Sequence, residues 1–367
     1  MSRRTRVLCL HGQDQSAASL RAGTRLIGDG LEKYWEMHYL DAPFLVPDCD
    51  EDEAGEKEMD PWRRAAYLVS ALVALQSDVD DFKARGLATP SSVAAALQEV
   101  TLALGSSDEG RDAMAAADKA GLEGVESMVS RKSARSLNRG WTVTVMPFEG
   151  SSTALLSGLG MSLGMLSDYI RETGTFHGAL GYGSGADVAW LLQTMLSHPR
   201  SSAAAFPSFF PQLPRGSSRM PRMGGWEQEP PPANDVRLGD ENLPSSFVPT
   251  QQPLEFLVSF CPQRTTTLDE RTREFIKAKP PITAPRPGAF TSHSLELVEA
   301  RPAPPPPTLS SFAPERTVID ASFPPDTLWS SFLAEWCALA VRSCNGDEGA
   351  ARRIASLATP DSWASRL

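Results

Sequence analysis

Apolar positions along this chain fall into short unbroken runs separated by stretches with helical spacing, the pattern of a parallel sheet layered with helices. The first run, Arg6-Val7-Leu8-Cys9-Leu10, predicts a buried strand that stops at His11-Gly12. Ser16 then offers an N-cap to a helix over residues 17–34, and Met37-His38-Tyr39-Leu40 predicts a second strand closed by Asp41-Ala42-Pro43. Strand, helix and strand with short links imply a right-handed parallel unit. Asp60-Pro61 opens a long amphipathic helix whose apolar face carries Trp62, Leu68, Leu72, Leu75, Val79 and Phe82, and alanine-rich segments follow it. Residues 60–135 are therefore expected as a helical insertion outside the sheet. A helix over residues 151–172 leads into a strand over residues 176–182. Ala186, Val188, Ala189, Leu191, Leu192 and Met195 then recur at helical spacing, with Asp187 in the first turn where the dipole favours negative charge. Residues 254–260 give the fourth strong strand, and all four are expected in one largely parallel sheet. The fold class is α/β, doubly wound.

Between these elements the chain is irregular, as 30 prolines and 27 glycines require. Residues 201–250 read as a mobile loop, and residues 279–315 as a second proline-rich one. Within the latter, Arg301-Pro302-Ala303-Pro304-Pro305-Pro306-Pro307 has the spacing of a polyproline II ligand, which plain linkers also produce. His293 falls in this region, in an exposed loop before a short helical stretch at 295–300. Amphipathic helices near 327–342 and 348–358 close the chain. With 367 residues, the organisation expected is one enlarged domain over 1–345 and a helical tail over 346–367.

A net charge of -10 excludes a phosphate-binding surface for nucleic acid. No apolar run approaches the ~20 residues of a membrane span, so the expected setting is cytoplasmic, away from membranes. Cys9, Cys49, Cys261, Cys337 and Cys344 are scattered without a C-x-x-C pair and read as reduced thiols. Eight of the thirteen residues from Asp48 to Asp60 are acidic, but Glu53 and Met59 stand where a calcium loop needs its glycine and closing glutamate. They read as a solvated loop. No metal and no cofactor are expected.

The chemistry concentrates in Gly181-Tyr182-Gly183-Ser184-Gly185, which lies between a predicted strand and a predicted helix. That is the setting of a G-x-S-x-G nucleophile elbow, whose central serine stands on a strained turn. Here the centre is Gly183, and the serine comes one residue late, as Ser184. Ser184 as a displaced nucleophile with His293 as base is the one active dyad that suggests itself, against a Ser184 that merely caps its helix. Only five histidines occur, at 11, 38, 177, 198 and 293. His11 reads as a ring bracing its loop, His177 as packing and Asp320 as a turn residue.

Val7-Leu8-Cys9-Leu10-His11-Gly12, Leu40-Asp41-Ala42-Pro43 with Pro47 beyond, Arg139-Gly140-Trp141 and the stretch from Gly158 to Leu192 together resemble the FSH group of serine hydrolases. These are small α/β-hydrolases, also called the ovarian-cancer-associated family. The resemblance implies an α/β-hydrolase sheet and an ancestral esterase or thioesterase activity with a Ser, Asp, His triad. Carried over by position, it puts the nucleophile at Gly183 and the oxyanion donors at the backbone of Gln13 and Ser184. It puts the histidine loop at residues 318–325, which hold no histidine, and the acid near the proline-rich residues 279–292. The function expected is a serine hydrolase-like domain that is weakly active or inactive, with an active esterase or thioesterase using Ser184 as the alternative. The expected partner is a small ester or related ligand, or a protein meeting the helical insertion or the proline-rich tract.

Overall fold

A computed structural model of the chain describes residues 5–13, 15–23, 35–46, 60–132, 137–145, 155–210, 253–260, 293–299 and 316–321, with single positions between and beyond them. The elements begin with β1 (Thr5–Leu10), α1 (Ala17–Gly23), β2 (Trp35–Leu40) and β3 (Phe44–Val46). Three helices follow: α2 (Pro61–Ala84), α3 (Ser91–Gly105) and α4 (Asp108–Lys132). Then come β4 (Asn138–Gly140), β5 (Val143–Val145), β6 (Leu155–Ser157), α5 (Leu159–Thr173), β7 (Gly178–Tyr182), α6 (Ser184–Ser197) and α7 (Pro199–Ala205). The described strands end with β8 (Phe256–Phe260), β9 (His293–Glu299) and β10 (Arg316–Ala321).

Six of these strands form one sheet in the order β10-β9-β8-β7-β1-β2, and every neighbouring pair is parallel. The four strands expected from their apolar runs are adjacent in it. Val7, Leu8, Cys9 and Leu10 of β1 are fully buried because β1 lies inside the sheet and has helices over it. Two cores result. Leu8, Leu10, Trp141, Leu163, Leu166, Val188 and Leu192 join the sheet to α5 and α6. Phe44, Leu45, Val69, Leu75, Val100, Leu104, Val125 and Val143 form a second cluster, in which α2, α3 and α4 cover the small antiparallel strands. Asp60 caps α2 by accepting from the N–H groups of Trp62 and Arg63, and Asp78 of α2 accepts from Gly158 N, at the start of α5, and from Ser157 Oγ. No described helix is long and apolar enough to cross a membrane.

Several expectations are corrected. Residues 155–157 are strand β6, paired antiparallel with β5, and the helix starts only at Leu159. Gly158 has φ +90° and a backbone so close to Phe44 that an added Cβ would lie 2.4 Å from that ring, so the helix cannot run through it. Residues 293–299 are strand, not an exposed loop and a short helix. Leu295 and Leu297 alternate with Ser294 and Glu296, and pairing with both neighbours overrides the weak helical spacing. Residues 316–321 extend the sheet as β10, so Asp320 is inside a strand and not in a turn. The loop expected from residue 201 starts later, because α7 runs to Ala205 and Phe209 and Phe210 are buried. The helix expected over 17–34 is described as far as Gly23. The remainder of that helix, the acidic stretch at 48–59, residues 211–250 and most of 300–367 lie outside the described residues.

Candidate functional site

Gly183 connects β7 to α6 with φ +51° and ψ −121°, a left-side conformation that L residues adopt only under strain. The elbow is therefore formed although its tip bears no side chain. Its neighbours need glycine for space. A Cβ on Gly181 would stand 2.4 Å from Ala186 Cα, and one on Gly185 would stand 2.3 Å from the carbonyl oxygens of Leu10 and His11. Those two positions let α6 press against β7 and β1. Among the described residues a Cβ on Gly183 would meet only Gly12 Cα, at 3.5 Å, an ordinary contact. With respect to these residues the tip has room for a side chain, and it sits against the loop that follows β1.

That loop is tightly held. His11 is fully buried, and its Nε2 accepts a hydrogen bond from Ala42 N at 2.9 Å while its Nδ1 lies 2.7 Å from Gly12 O. Only the neutral Nδ1–H tautomer satisfies both contacts. Burial pushes the His11 pKa down, outweighing the help of the Gly12 carbonyl and of Asp41. Trp141 Nε1 donates to His11 O at 2.7 Å, Ser162 Oγ donates to Trp141 O, and Gln15 Oε1 accepts from Gly12 N at 3.0 Å. Arg139 donates to Ala42 O and pairs with Glu126 of α4, and its own N–H donates to Gln15 O. Gln13 Nε2 reaches Thr142 O at 3.4 Å, and this side chain lies so close over Gly140 that a Cβ there would be 2.6 Å from Nε2. The Arg139-Gly140-Trp141 stretch thus serves to fix the β1 loop. The backbone N–H groups of Gln13 and of Ser184, the first residue of α6, have no backbone acceptor among the described residues.

Ser184 is 1% exposed, and its Oγ has no hydrogen-bond partner among the described residues. Among the described side chains no imidazole is brought to it. His11 has both ring nitrogens engaged. His177 precedes β7 at the far end from the elbow and accepts from Arg6 N. His198 ends α6, about 20 Å along the helix axis. His38 is held by Glu36 and Tyr169. His293 pairs with Phe256, which pairs with Gly178, so its backbone lies at the N-terminal end of the sheet. Five residues of strand, about 16 Å, separate that level from Gly183. The structure does not bring Ser184 and His293 together.

The order of the sheet shows where a base would have to come from. In parallel strands the functional end is the C-terminal one, the end at which the chain leaves β8, β9 and β10 after residues 260, 299 and 321 for segments outside the described residues. His293 is the last histidine in the sequence, and it precedes two of these. Sequence reasoning gave Gln15, Arg139 and Ser162 no role as supports of the site; their signals were nearness to His11-Gly12 for Gln15, and membership of Arg139-Gly140-Trp141 and of the stretch from Gly158 to Leu192 for the other two. Among the described residues no group of His, Cys, Asp and Glu can hold a metal ion.

The family comparison agrees with this fold. No curated protein matches the chain. The family model described as "Serine hydrolase (FSH1)" matches residues 1–80 and 111–286, more than two thirds of the chain. Its match takes in β1, the elbow and α6, and leaves out residues 81–110, where α3 lies. With a parallel sheet, a formed elbow and this match, the chain belongs to the FSH1 serine hydrolase family of α/β-hydrolases.

Proposed function

We propose that this serine hydrolase-like domain holds a small ligand bearing an ester or related carbonyl group and does not turn it over. The observation that carries the reading is Gly183 at the elbow tip, in elbow geometry and without a nucleophile. The N–H groups of Gln13 and Ser184 remain as donors for a carbonyl oxygen, and polarising donors alone retain only a small residue of triad catalysis. A cytoplasmic pseudoenzyme that binds such a ligand fits these features. A protein meeting the helical segment at 60–135 or the proline-rich tract is the other partner class, to be sought by crosslinking in cell extract.

The second reading, an active esterase or thioesterase using Ser184, draws on one observation: its Oγ is buried and has no partner among the described residues, and a buried hydroxyl left unpaired costs roughly 1–3 kcal/mol. A fluorophosphonate probe with the labelled peptide identified by mass spectrometry separates the two. No label on Ser184 is expected. Stoichiometric label there, lost in Ser184→Ala, overturns the non-hydrolytic reading.

A further inference from the structure

Away from the elbow, on the edge strand β2, three side chains form a chain of proton donors and acceptors. Glu36 and His38 are two residues apart and so share a face of β2, beside Arg6 and Leu8 of β1 in register. Helix α5 brings Tyr169 to the same face. Tyr169 Oη lies 3.1 Å from His38 Nδ1, and His38 Nε2 lies 2.9 Å from Glu36 Oε1. In the neutral ring one arrangement satisfies these two shorter contacts, with Tyr169 O–H donating to Nδ1 and Nε2–H to the carboxylate; Arg6 Nη2, a donor only, lies farther off at 3.4 Å from Nε2, and Arg6 Nε is 3.8 Å from Glu36 Oε2. This is the hydroxyl, imidazole, carboxylate connectivity of a hydrolase triad, built on a phenol and with the two ring nitrogens exchanged. Phe176 fixes the geometry, with His38 edge-on at 5.1 Å, Tyr169 stacked at 6.1 Å and the Arg6 guanidinium over its face at 4.9 Å.

We propose that Tyr169 is an acyl-accepting hydroxyl activated by His38 and Glu36, a self-modification site for activated esters that is independent of the elbow. Phenol oxygen attacks the carbonyl carbon of the donor as its proton passes to His38 Nδ1. The bond to the leaving alcohol breaks, that proton leaves with the alcohol, and acyl-Tyr169 and neutral His38 remain. Burial raises the Tyr169 pKa, with Arg6 opposing, so the group is a phenol at neutral pH and depends on the base. The charged and titratable groups facing the His38 ring are Glu36 from its own strand, Arg6 from β1 and Tyr169 from α5; the buried Cys9 thiol meets only the His38 backbone. Glu36 is half exposed and Tyr169 partly so, which leaves the site open to a small donor.

The test treats the full chain with p-nitrophenyl acetate, follows p-nitrophenolate and locates acetyl groups by peptide mass spectrometry. A burst is expected, with Tyr169 acetylated about 100-fold faster than the more exposed Tyr182, the lower end of what a positioned base supplies. Tyr169→Phe removes the burst, His38→Ala slows it by a similar factor, and added imidazole restores it in that variant. From pH 8 to 9 the wild-type rate stays flat, whereas an unassisted phenol gains about tenfold with its phenolate fraction. Acetylation of Tyr169 no faster than of Tyr182 overturns the proposal, and so does a burst that survives Tyr169→Phe. The ratio within the wild-type protein decides the matter even where His38→Ala folds poorly. Steady turnover that persists in Tyr169→Phe and vanishes in Ser184→Ala contradicts the non-hydrolytic reading of the elbow instead.

Discussion

Returning serine to the elbow tip, Gly183→Ser, tests the site with a change whose steric and chemical effects separate. Among the described residues space is available, since the new Cβ meets only Gly12 Cα at 3.5 Å. The backbone is the obstacle: φ +51° is free for glycine, and holding an L residue there costs of order 1–3 kcal/mol. Gly185→Ser is the matched control, because its Cβ would fall 2.3 Å from two carbonyl oxygens of the β1 end. That requires α6 to retract from the sheet, a loss expected to exceed about 4 kcal/mol. Urea unfolding followed by tryptophan fluorescence measures both. Steady-state hydrolysis of p-nitrophenyl acetate supplies the chemical half. A typical enzyme turns over at ~10 s⁻¹, and a triad without a working member loses on the order of 10⁶, so Gly183→Ser is expected near 10⁻⁵ s⁻¹ by those two figures. Turnover of 1 to 10³ s⁻¹, the usual enzyme range, would refute the reasoning, because a base would have to be in place. A Gly183→Ser as unstable as Gly185→Ser would refute the open tip.

Other outcomes follow from the supports of the site. His11 is buried and neutral with its pKa lowered, so below the ordinary imidazole value of about 6.5 the unfolded chain binds a proton that the folded chain refuses. Stability is then complete above that pH and falls as pH drops toward the lowered folded value, by up to about 1.4 kcal/mol per unit for this group; urea midpoints of His11→Gln should show a shallower slope than wild type between pH 6.5 and 5, and equal slopes would show that His11 is not held neutral. Asp78→Ala leaves Gly158 N and Ser157 Oγ without their acceptor, and is expected to lower stability by about 1–3 kcal/mol in the same unfolding assay. A change under about 0.5 kcal/mol, the scatter of ordinary surface substitutions, would mean water replaces the carboxylate.

The parts of the fold that were legible in the sequence are those whose burial leaves no choice of residue. Val7-Leu8-Cys9-Leu10 and Phe256-Leu257-Val258 are flanked by strands and buried against helices, so every position is apolar and the run stands out. β9 and β10 were not recognised as sheet strands because His293-Ser294-Leu295-Glu296-Leu297-Val298-Glu299 and Arg316-Thr317-Val318-Ile319-Asp320-Ala321 mix charge into short segments set among prolines. Leu155–Ser157 is three residues long, below any periodicity that can be counted, and its identity rests on Gly158 ending it.

At the site, the pentad was legible because its glycines answer to fixed distances: Gly181 and Gly185 are dictated by the approach of α6 to β7 and β1. The candidate base was not, since closeness of Ser184 and His293 depends on which end of a strand a residue occupies, and that is set by register with Phe256 and Gly178. Register also sharpens what the loss of Gly183's side chain means. A chain lacking only its nucleophile could regain activity by one substitution. Here, every histidine that precedes β8 is either engaged in the scaffold or placed away from the elbow, His293 opens β9 at the wrong end, and no histidine follows it. Among the described residues the elbow tip bears no side chain and no imidazole stands beside it, while the glycines that build the elbow and the loop that faces it remain in place. On the ligand-holding reading we propose, such a geometry without a proton-transfer partner is what the site requires, and the turnover of Gly183→Ser is its check.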